Sequence, residues 1–427
     1  MAAVALEELG VSGLEQFGGY VYGDPLPELR TLQARAKVYK EMAEGDAVVG
    51  GILFAIDMLC RNVSWHVDPF DTTDVTDGEN ATFVSECLND MSTGFEDTLS
   101  EILTFIPYGF APMNDVYKLR EGPKDDDSHS RYNDGRVGWR NWNLRSQDTV
   151  LRWDFDPATG KATALIQQAP PKYQVIPIPF DNLLLFRTTA KRGNPEGRSA
   201  IRSAYRSWYY KKHIESIEGI GIERDLAGLP VAWVPPGLLV PTANSEQVAL
   251  RESIKNIITG IRRDDQEGII WPLSFDANGN KLYDLTLLST GGTRQFDTDK
   301  VINRYDTRIA MTVLADFILL GHQAVGSWAL ASSKTNLFSY ALGSFLDIVA
   351  DVINRFAIPR LFRYNGLPLD RLPVMRHGDI EAVDIAELGA FVTAITGAGI
   401  VLDNKAQQWI LEQAGIPHEV EEDNVSH

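Results

Sequence analysis

The sequence predicts an α+β fold, with strands and helices mixed in the first half of the chain and long helices dominating the second. Residues 37–198 switch between helical periodicity and short runs that alternate apolar and polar residues, which is typical of helices mixed with β-strands. After residue 199, apolar residues recur at helical spacing over long stretches bounded by turn residues. The chain has 427 residues, of which 44% are apolar, so it can bury a substantial core.

The first half is predicted to begin with an arm, because residues 1–36 mix glycine, proline and small apolar residues. The predicted helices are 32–42, 48–60, 79–91 and 95–105. The predicted strands are 62–70, 109–117, 162–167 and 182–187, with further alternation between Trp139 and Phe155 and a hairpin turn at 156–160. Residues 118–137 are rich in charged and turn residues, which predicts a solvated loop.

The second half is predicted to contain two long helices that bracket a small domain. The helices are 199–226, stopped by Gly228 and Pro230, and 297–319, ended by Gly321. The bracketed insert, 231–290, contains a predicted helix at 245–261 and predicted strands at 269–272 and 282–287. A Gly/Ala/Ser-rich loop at 322–333, a helix at 336–356 broken at Pro359, short helices at 384–398 and 404–414 and an acidic tail at 419–423 complete the chain.

Charge limits the functions that remain. Lysine and arginine number 40 against 58 aspartate and glutamate, so the net charge is −18. Such a chain is not expected to grip nucleic acid as a monomer, because that binding works by neutralising phosphates. A passage through which DNA slides has the opposite requirement, since each tight phosphate contact would resist movement. The acidic balance is therefore compatible with conduction of DNA.

Cysteine content and apolar stretches predict assembly in a reducing compartment, away from membranes. Cys60 and Cys87 are too few for a disulfide framework or a four-ligand zinc site. Residues 1–10 contain no basic residue and do not resemble a secretory signal. The apolar stretch at 388–402 is shorter than the roughly 20 residues that a membrane-spanning helix needs. Cytoplasmic assembly without a membrane partner is expected.

Three stretches resemble the portal protein family of tailed bacteriophages. They are RGNPEGRS at 192–199, AYRSWYYKK at 204–212 and GIERDLAGLP at 221–230. The sequence around Tyr108, Gly109 and Phe110, followed by Val116 and Tyr117, is also similar to the family's wing. The predicted order of helix, insert, helix, loop, kinked helix and small terminal domain is that of the family, and the likeness covers roughly residues 35–415.

The resemblance implies a portal-type fold with a wing, two long stem helices, a small α/β clip, a tunnel loop, a kinked long helix and a small helical crown. The implied boundaries are an N-terminal arm at 1–36, the wing at 37–198, stem helix 1 at 199–227, the clip at 228–292, stem helix 2 at 293–320, the tunnel loop at 321–335, the long wing helix at 336–372, and the crown with its acidic tail at 373–427. Only about 55 residues remain for the crown, which is small for the family.

The same resemblance implies a non-enzymatic ring at one capsid vertex. The ring, a dodecamer in homologous portals, would conduct double-stranded DNA during packaging and ejection through transient, sequence-independent contacts. Its other implied partners are the major capsid protein, the large terminase and the neck or adaptor proteins. A ring of this kind needs subunits with two mutually complementary flanks. Another virion ring protein, a neck adaptor or baseplate component, remains an alternative, although it does not explain the order of elements.

Tunnel-loop residues are the first candidate site. Lys334 is the one lysine or arginine between Arg308 and Arg355, so it is the best candidate for a transient phosphate contact. Serine and asparagine side chains nearby could add weak, sequence-blind hydrogen bonds. The full candidate set is His322, Gln323, Ser327, Ser332, Ser333, Lys334, Thr335 and Asn336.

The clip and the stem supply two further candidate sets. Arg262 and Arg263 could contact DNA, terminase or adaptor at the clip, although Asp264 and Asp265 follow directly and favour a self-paired surface. The aromatic run at 208–210 could stack on bases beside two lysines, but such stripes more often form core or subunit interface. The predicted stem and interface residues are Tyr205, Trp208, Tyr209 and Arg308.

No catalytic or cofactor motif is found in the sequence. A Walker A sequence and a His-Glu-x-x-His motif are absent, and the histidines are scattered. The acidic run at 125–127 does not continue as an EF-hand, because Ser130 and Arg136 stand where glycine and glutamate are required. No enzyme activity, cofactor or metal is therefore expected. The rival hypothesis, a metal-dependent nuclease, would draw on the scattered carboxylates Asp297, Asp299 and Asp306.

Overall fold

The computed structural model describes residues 12–227, 229–240, 244–260, 274–275, 279, 281–288, 297–313, 315, 328–380 and 393. Its helices are α1 (Leu32–Gly45), α2 (Ala47–Arg61), α3 (Val75–Asn89), α4 (Phe95–Leu103), α5 (Phe105–Tyr108), α6 (Tyr205–Ala227), α7 (Ser245–Gly260), α8 (Thr298–Thr312), α9 (Trp328–Val352) and α10 (Ile358–Tyr364). Its strands are β1 (Gln16–Phe17), β2 (Tyr20–Val21), β3 (Trp65–Asp68), β4 (Phe110–Glu121), β5 (Asn133–Leu144), β6 (Val150–Phe155), β7 (Ala162–Gln168), β8 (Val175–Pro179), β9 (Leu184–Arg187), β10 (Leu229–Trp233), β11 (Asp284–Leu288) and β12 (Val374–His377). The mixture confirms the predicted α+β class.

The chain divides into two compact units. The first contains the described residues up to Ala204 and from Ile309 onward, and the second contains those within Tyr205–Arg308. The second unit therefore corresponds to the segment in which two long helices were predicted to bracket a small insert.

Helices α2 and α3 of the first unit each begin at a capping aspartate. Asp46 separates α1 from α2, and its carboxylate accepts hydrogen bonds from the backbone N–H groups of Val48 and Val49, both at 3.0 Å. Asp74 caps α3 in the same way by accepting from Thr76. The apolar faces of α2, α3 and α4 pack with β4, β5 and α9 into one large core that includes Ile102, Trp139 and Leu346. Burial of that apolar surface is the main stabilising contribution to this unit.

The central sheet of the first unit has the antiparallel order β5-β4-β9. Residues 118–137 were predicted to be a solvated loop, and that prediction was wrong at both ends. Strand β4 continues to Glu121 and β5 begins at Asn133, because the charged side chains of Lys118 and Arg120 are buried and paired. Arg120 lies 2.6 Å from Glu86 and 3.1 Å from Asp134, so its charge is compensated inside the fold.

A second sheet of the first unit, β6-β7-β8, covers a smaller core around Trp153. The hairpin turn predicted at 156–160 is confirmed between β6 and β7, where the Asp156 carboxylate accepts from the Ala158 backbone. Strand β8 was not predicted, because its residues include Pro177 and Pro179, which weaken a strand signal and are tolerated at an edge.

The long helix of the first unit begins earlier than predicted. Helix α9 starts at Trp328, so residues 328–335, predicted as part of a loop, are helical. Their glycine-poor composition of alanine, serine and leucine is compatible with a helix, and small residues alone do not make a loop. The predicted interruption at Pro359 is present as a π-helical turn, Ile353–Ala357, between α9 and α10. Proline lacks the N–H that the regular helix needs, and such turns accommodate that loss.

Strand β12, which sequence periodicity did not predict, pairs with β3 in antiparallel register from Trp65↔His377 to Asp68↔Val374. The side-chain amide of Asn354 extends this pairing, since it donates to the Met375 carbonyl and accepts from the Met375 N–H. The two short helices predicted at 384–398 and 404–414 lie outside the described residues, as does the acidic tail.

The second unit has the order helix, strand, helix, strand, helix, which agrees with the predicted helix-insert-helix arrangement. Strands β10 and β11 pair in antiparallel register from Leu229↔Leu288 to Trp233↔Asp284, and α7 packs on β10. Strand β10 begins where the first long helix was predicted to stop. Helix α8 ends at Thr312 rather than near 319, and the strand predicted at 269–272 lies outside the described residues.

Candidate functional site

Helices α6 and α8 lie antiparallel in the second unit, and three contacts fix their register. Lys211 Nζ lies 2.6 Å from an Asp306 carboxylate oxygen, and the Thr298 hydroxyl donates to Glu218. Tyr210 and Tyr305 lie nearly parallel, with ring centroids 6.5 Å apart and an interplanar angle of 22°. The start of α6 thus lies beside the end of α8, as expected for two long helices that are connected through a small insert.

The Lys211–Asp306 ion pair lies between these two helices. The exposed fraction is 6% for the Lys211 side chain and 18% for the Asp306 side chain. Because Lys211 is directed into the helix pair, it does not join a surface that could stack on nucleic-acid bases. Tyr205 and Trp208 are also buried, at 7% and 5% exposure, which agrees with packing rather than base stacking for these two rings.

An exposed group of aromatic and cationic side chains occupies the same end of the helix pair. Tyr209 and Tyr210 are 41% and 44% exposed. Three guanidinium groups lie over the stacked tyrosines: Arg206 at 6.0 Å from the Tyr210 ring, and Arg304 and Arg308 at 5.3 and 6.0 Å from the Tyr305 ring. These distances are within the range of cation–π attraction. Arg308, a predicted interface residue, therefore belongs to a larger cationic group.

The small insert of the second unit presents apolar side chains at its surface. Trp233 on β10 is 61% exposed, and Leu239, just after the turn Pro236–Leu238, is 64% exposed. The predicted clip residues Arg262 and Arg263 lie outside the described residues. The structure therefore does not place them.

The predicted tunnel-loop residues fall into two groups. His322, Gln323 and Ser327 lie outside the described residues. The second group belongs to the first turns of α9, where only the backbone is described: Ser332, Ser333, Lys334, Thr335 and Asn336.

Two glycines allow the motif at 192–199 to pack closely against the backbone that precedes β4. Gly109 has a φ of +95° and Gly197 a φ of +57°, a region that disfavours side chains. A Cβ atom on Gly197 would lie 2.2 Å from the Gly109 carbonyl oxygen, and one on Gly109 would lie 2.8 Å from the Glu196 carbonyl oxygen. Only glycine fits at either position, which gives the conspicuous glycines of this motif a packing role.

Glu196 of this motif is buried in the first unit. Its carboxylate contacts the Arg35 guanidinium and accepts a hydrogen bond from the Trp153 indole N–H at 3.0 Å. Burial raises the pKa of Glu196, and its two partners oppose that rise. The motif therefore ties the N-terminal arm, through Arg35, to the β6-β7-β8 sheet.

A cavity of about 410 Å³ lies beside the motif, and its lining includes Tyr39 of α1 and Ser199 of the motif. A second ion pair joins its walls, where Arg202 contacts Asp24 through two nitrogens. Burial opposes ionisation of Asp24, but Arg202 and the Leu26 backbone outweigh it and lower the pKa of Asp24. Burial raises the pKa of Tyr39 to about 12. Four charged groups of this cavity are thus engaged in two ion pairs, Arg35 with Glu196 and Arg202 with Asp24.

The carboxylates of the nuclease hypothesis are not brought together as a metal site. Asp306 pairs with Lys211, and Asp297 pairs with Lys300 at 2.5 Å. Among the described residues, no group of three or more histidine, cysteine, aspartate or glutamate side chains could hold a metal ion. Cys60 and Cys87 are free thiols, and burial raises the pKa of each to about 12.

Each helix in the part of the chain that the structure describes is too short or too polar to span a membrane.

Comparison with protein families gives the decisive observation. The sequence profile described as "Portal protein of Mu bacteriophage" matches residues 36–416. The chain belongs to the phage portal protein family. The resemblance stated from the motifs at 192–230 is therefore confirmed.

Solved structures similar to this portal protein come from gene transfer agent (GTA) particles. One, the virion of a native GTA particle, has 12% identity, a TM-score of 0.53 and coverage of 94% of this chain and 97% of that chain. The neck of a native GTA particle, computed with C12 symmetry, has 11% identity, a TM-score of 0.52 and coverage of 95% and 97%. The neck of an empty GTA particle, computed with C6 symmetry, has 10% identity, a TM-score of 0.54 and coverage of 95% and 98%. At such low identity the likeness establishes the fold. The comparison with curated proteins gives no match.

Sequence reasoning missed two features of this portal protein's helix pair. It left open a stacking surface beside Lys211, although it favoured core or subunit interface, and it did not predict that this lysine pairs with Asp306. It also singled out Arg308 without Arg206 and Arg304. A signal for the latter was present in the sequence, because Lys300, Arg304 and Arg308 recur at intervals of four and so share one face of α8.

Proposed function

We propose that this portal protein forms a closed homo-oligomeric ring that conducts double-stranded DNA through one vertex of a phage capsid. The single observation that carries the proposal is the family match across residues 36–416, which covers both units of the chain. Portal proteins are structural components, so we propose no catalytic step for this chain. The energy for packaging must then come from a separate ATP-hydrolysing terminase.

The described geometry supports assigning the second unit to the stem and clip of the portal. Helices α6 and α8 correspond to the two stem rods, and β10, α7 and β11 to the clip between them. The proposed boundaries remain 199–227 for stem helix 1, 228–292 for the clip and 293–320 for stem helix 2. A pair of helices joined by a buried ion pair and stacked rings is stiff, which suits a wall that must hold its shape while DNA passes.

The first unit is proposed to supply the wing, at 37–198 and 336–372, with the arm at 1–36. The crown is proposed at 373–427, where strand β12 already belongs to a sheet with β3. The tunnel loop is proposed at 321–335, and the part of it from Trp328 onward is helical because it belongs to α9. Its candidate contacts to DNA phosphates, above all Lys334, remain part of this proposal.

The proposed partners follow from the family. They are further copies of the same chain, the major capsid protein, the large terminase during packaging, and neck or adaptor proteins afterwards. A GTA neck structure has C12 symmetry, which supports a dodecamer for this chain as well. Assembly is proposed to occur in the host cytoplasm, with the finished ring in the virion.

Electron microscopy of the purified full-length chain tests the ring. We expect projections of a closed ring with a central hole, a wide rim and a narrow end. A purified chain that stays monomeric across the accessible concentration range, or forms rings without a lumen, would contradict the proposal. A wide ring without a narrow clip would favour a neck adaptor or baseplate component.

The tunnel assignment is tested by Lys334→Glu, with Lys300→Glu as a charge-matched control on the stem. We expect Lys334→Glu to form rings like the wild type and to reduce packaged DNA severalfold, because it replaces the proposed phosphate contact with a repulsive charge. The measurement is the amount of nuclease-protected DNA in particles complemented with each variant. Unchanged packaging by Lys334→Glu would remove Lys334 from the site.

A further inference from the structure

We infer that Arg206, Tyr210, Arg304, Tyr305 and Arg308, here called the arginine–tyrosine patch, bind carboxylates of the neighbouring copy of this chain. This inference rests on the proposed ring, and it names the chemistry by which one flank of a subunit recognises the next. The patch lies wholly within the second unit, on α6 and α8.

The cations of the patch have no acidic partner in the part of the chain that the structure describes. Among the described residues, no carboxylate forms an ion pair with Arg206, Arg304 or Arg308, and all three side chains are exposed. The pattern is unusual for a solvated helix. Arg304 and Arg308 are four residues apart, where like charges repel, and Lys300 continues the same row. By contrast, Lys300 is paired with Asp297. The unpaired positive charges of Arg304 and Arg308 therefore favour binding of an anion from another molecule.

The tyrosines of the patch hold the guanidinium groups in place. Arg304 and Arg308 both lie over the Tyr305 ring, and Arg206 lies over the Tyr210 ring stacked against it. A guanidinium that rests on a ring face keeps its N–H groups at the edge for bidentate contact with a carboxylate or phosphate. Because the rings already orient these side chains, less rotamer entropy is lost when a partner binds.

A second copy is the occupant that the charges favour over DNA. The opposite end of the same helix pair carries acidic side chains: Glu215, Glu218, Asp297 and Asp299. Asp297 is paired with Lys300 and Glu218 accepts from Thr298, whereas Asp299 forms no ion pair with another described residue and is the main candidate partner. Arg206 and Glu215 are nine residues apart, about 13 Å along a helix at about 1.5 Å per residue. Two staggered helix pairs would thus place the cationic end of one beside the acidic end of the next. Such a head-to-tail contact between unlike patches is the type that closes a ring. Arginine and tyrosine are also the residues enriched at protein–protein interfaces, where lysine is depleted.

The test compares Arg304→Gln/Arg308→Gln with Lys300→Gln, which removes an exposed cation from the same helix outside the patch. Assembly is measured by sedimentation velocity over a range of protein and salt concentrations. We expect the double variant to need about tenfold more protein for half-assembly and to lose much of the salt dependence of assembly. Lys300→Gln should assemble like the wild type. Far-ultraviolet circular dichroism of the monomer fraction confirms that the double variant is folded.

A second variant makes the complementary change at the acidic end. Asp299→Asn should weaken assembly in the same direction, since it removes a carboxylate from the proposed opposite flank. Unchanged assembly of the arginine double variant, while the wild type forms rings, overturns the inference and leaves the proposed function standing. Loss of affinity for a short double-stranded DNA with unchanged assembly also overturns it, because the patch would then face DNA. A wild-type chain that forms no ring overturns the proposed function and this inference together.

Discussion

The two compact units of this portal protein are held together by different interactions. The first unit buries large apolar side chains completely, such as Trp139, Phe105 and Leu346, each at 0% exposure. In the described part of the second unit, buried apolar side chains are few, and the helix pair is joined by the Lys211–Asp306 ion pair and two stacked tyrosines. The first unit can stabilise itself, whereas the second leaves aromatic and apolar side chains exposed for neighbours.

The difference follows from the magnitudes of the two kinds of interaction. Burial of a large apolar side chain contributes about 1.5–3 kcal/mol, and a core of many such residues sums to a large stabilisation. A single ion pair contributes far less, because its attraction is offset by the loss of water from both charges. The described part of the second unit is therefore expected to contribute less to the free energy of unfolding than the core of the first unit.

The largest expected effect comes from the core of the first unit. Replacement of Trp139 by alanine should lower the free energy of unfolding by about 3–5 kcal/mol, because it leaves a large cavity in a fully buried site. The measurement is urea unfolding followed by circular dichroism. Phe54→Ala is the control, since Phe54 is 67% exposed and its loss should cost under about 0.5 kcal/mol. Equal effects at the two sites would break the comparison.

A smaller effect, with a defined pH dependence, is expected at Asp90. Burial opposes its ionisation, but hydrogen bonds from the Arg131 backbone at 2.8 Å and the Ser130 hydroxyl at 2.7 Å, together with Lys118 at 3.1 Å, outweigh it and lower the pKa of Asp90. Asp90→Asn should cost about 3 kcal/mol at neutral pH, because Lys118 is left buried without its counter-charge.

The sign of the pH dependence follows from the lowered pKa of Asp90. Its contribution is complete above 3.8, the ordinary pKa that it has in the unfolded chain, and is lost as the pH falls through the lower folded value. The difference in unfolding free energy between wild type and Asp90→Asn should therefore shrink below pH 4 and stay constant from pH 5 to 7. A constant difference down to pH 2.5 would show that the ionised carboxylate is not what stabilises this site.

The smallest expected effects test whether burial, rather than the nitrogen–oxygen distance, determines how much an ion pair stabilises the fold. Lys211–Asp306 and Arg355–Asp351 have the same 2.6 Å nitrogen–oxygen distance, but Lys211 is 6% exposed and Arg355 is 70% exposed. Lys211→Met should lower the free energy of unfolding by about 2 kcal/mol, because it leaves Asp306 partly buried without a counter-charge. Arg355→Met should cost no more than about 0.5 kcal/mol. Thermal unfolding of both variants gives the comparison, and similar costs would mean that burial does not decide the strength of these pairs.

Much of the fold could be predicted because it follows from local patterns. Helices α1, α2 and α7 and the turn after β6 agree closely with periodicity and turn chemistry. Strand β12 could not be predicted, because a four-residue strand carries little periodicity and is fixed by its partner β3. The early start of α9 at Trp328 was missed because small residues were given the properties of a loop.

The candidate sites were predicted less well, because side-chain partners lie far apart in the sequence. Lys211 on α6 pairs with Asp306 on α8, and the sequence around each residue gives no indication of its partner. The tunnel-loop and clip residues stay predictions. For the arginine–tyrosine patch, the four-residue spacing of Arg304 and Arg308 could be recognised in the sequence. The stacking of Tyr305 on Tyr210, which brings these arginines close to α6, could not.

The sequence by itself determined the α+β class, the helix-insert-helix order and the family, since periodicity, turn residues and motifs act over short spans of chain. Only the tertiary structure decided which charges are buried and which are exposed. Lys118 and Arg120 look like loop residues but lie in the core beside Asp90 and Glu86, whereas Arg304 remains at the surface. The physical reason is that a charge can be buried only where a partner of opposite sign is brought to it, and that partner is supplied by the fold.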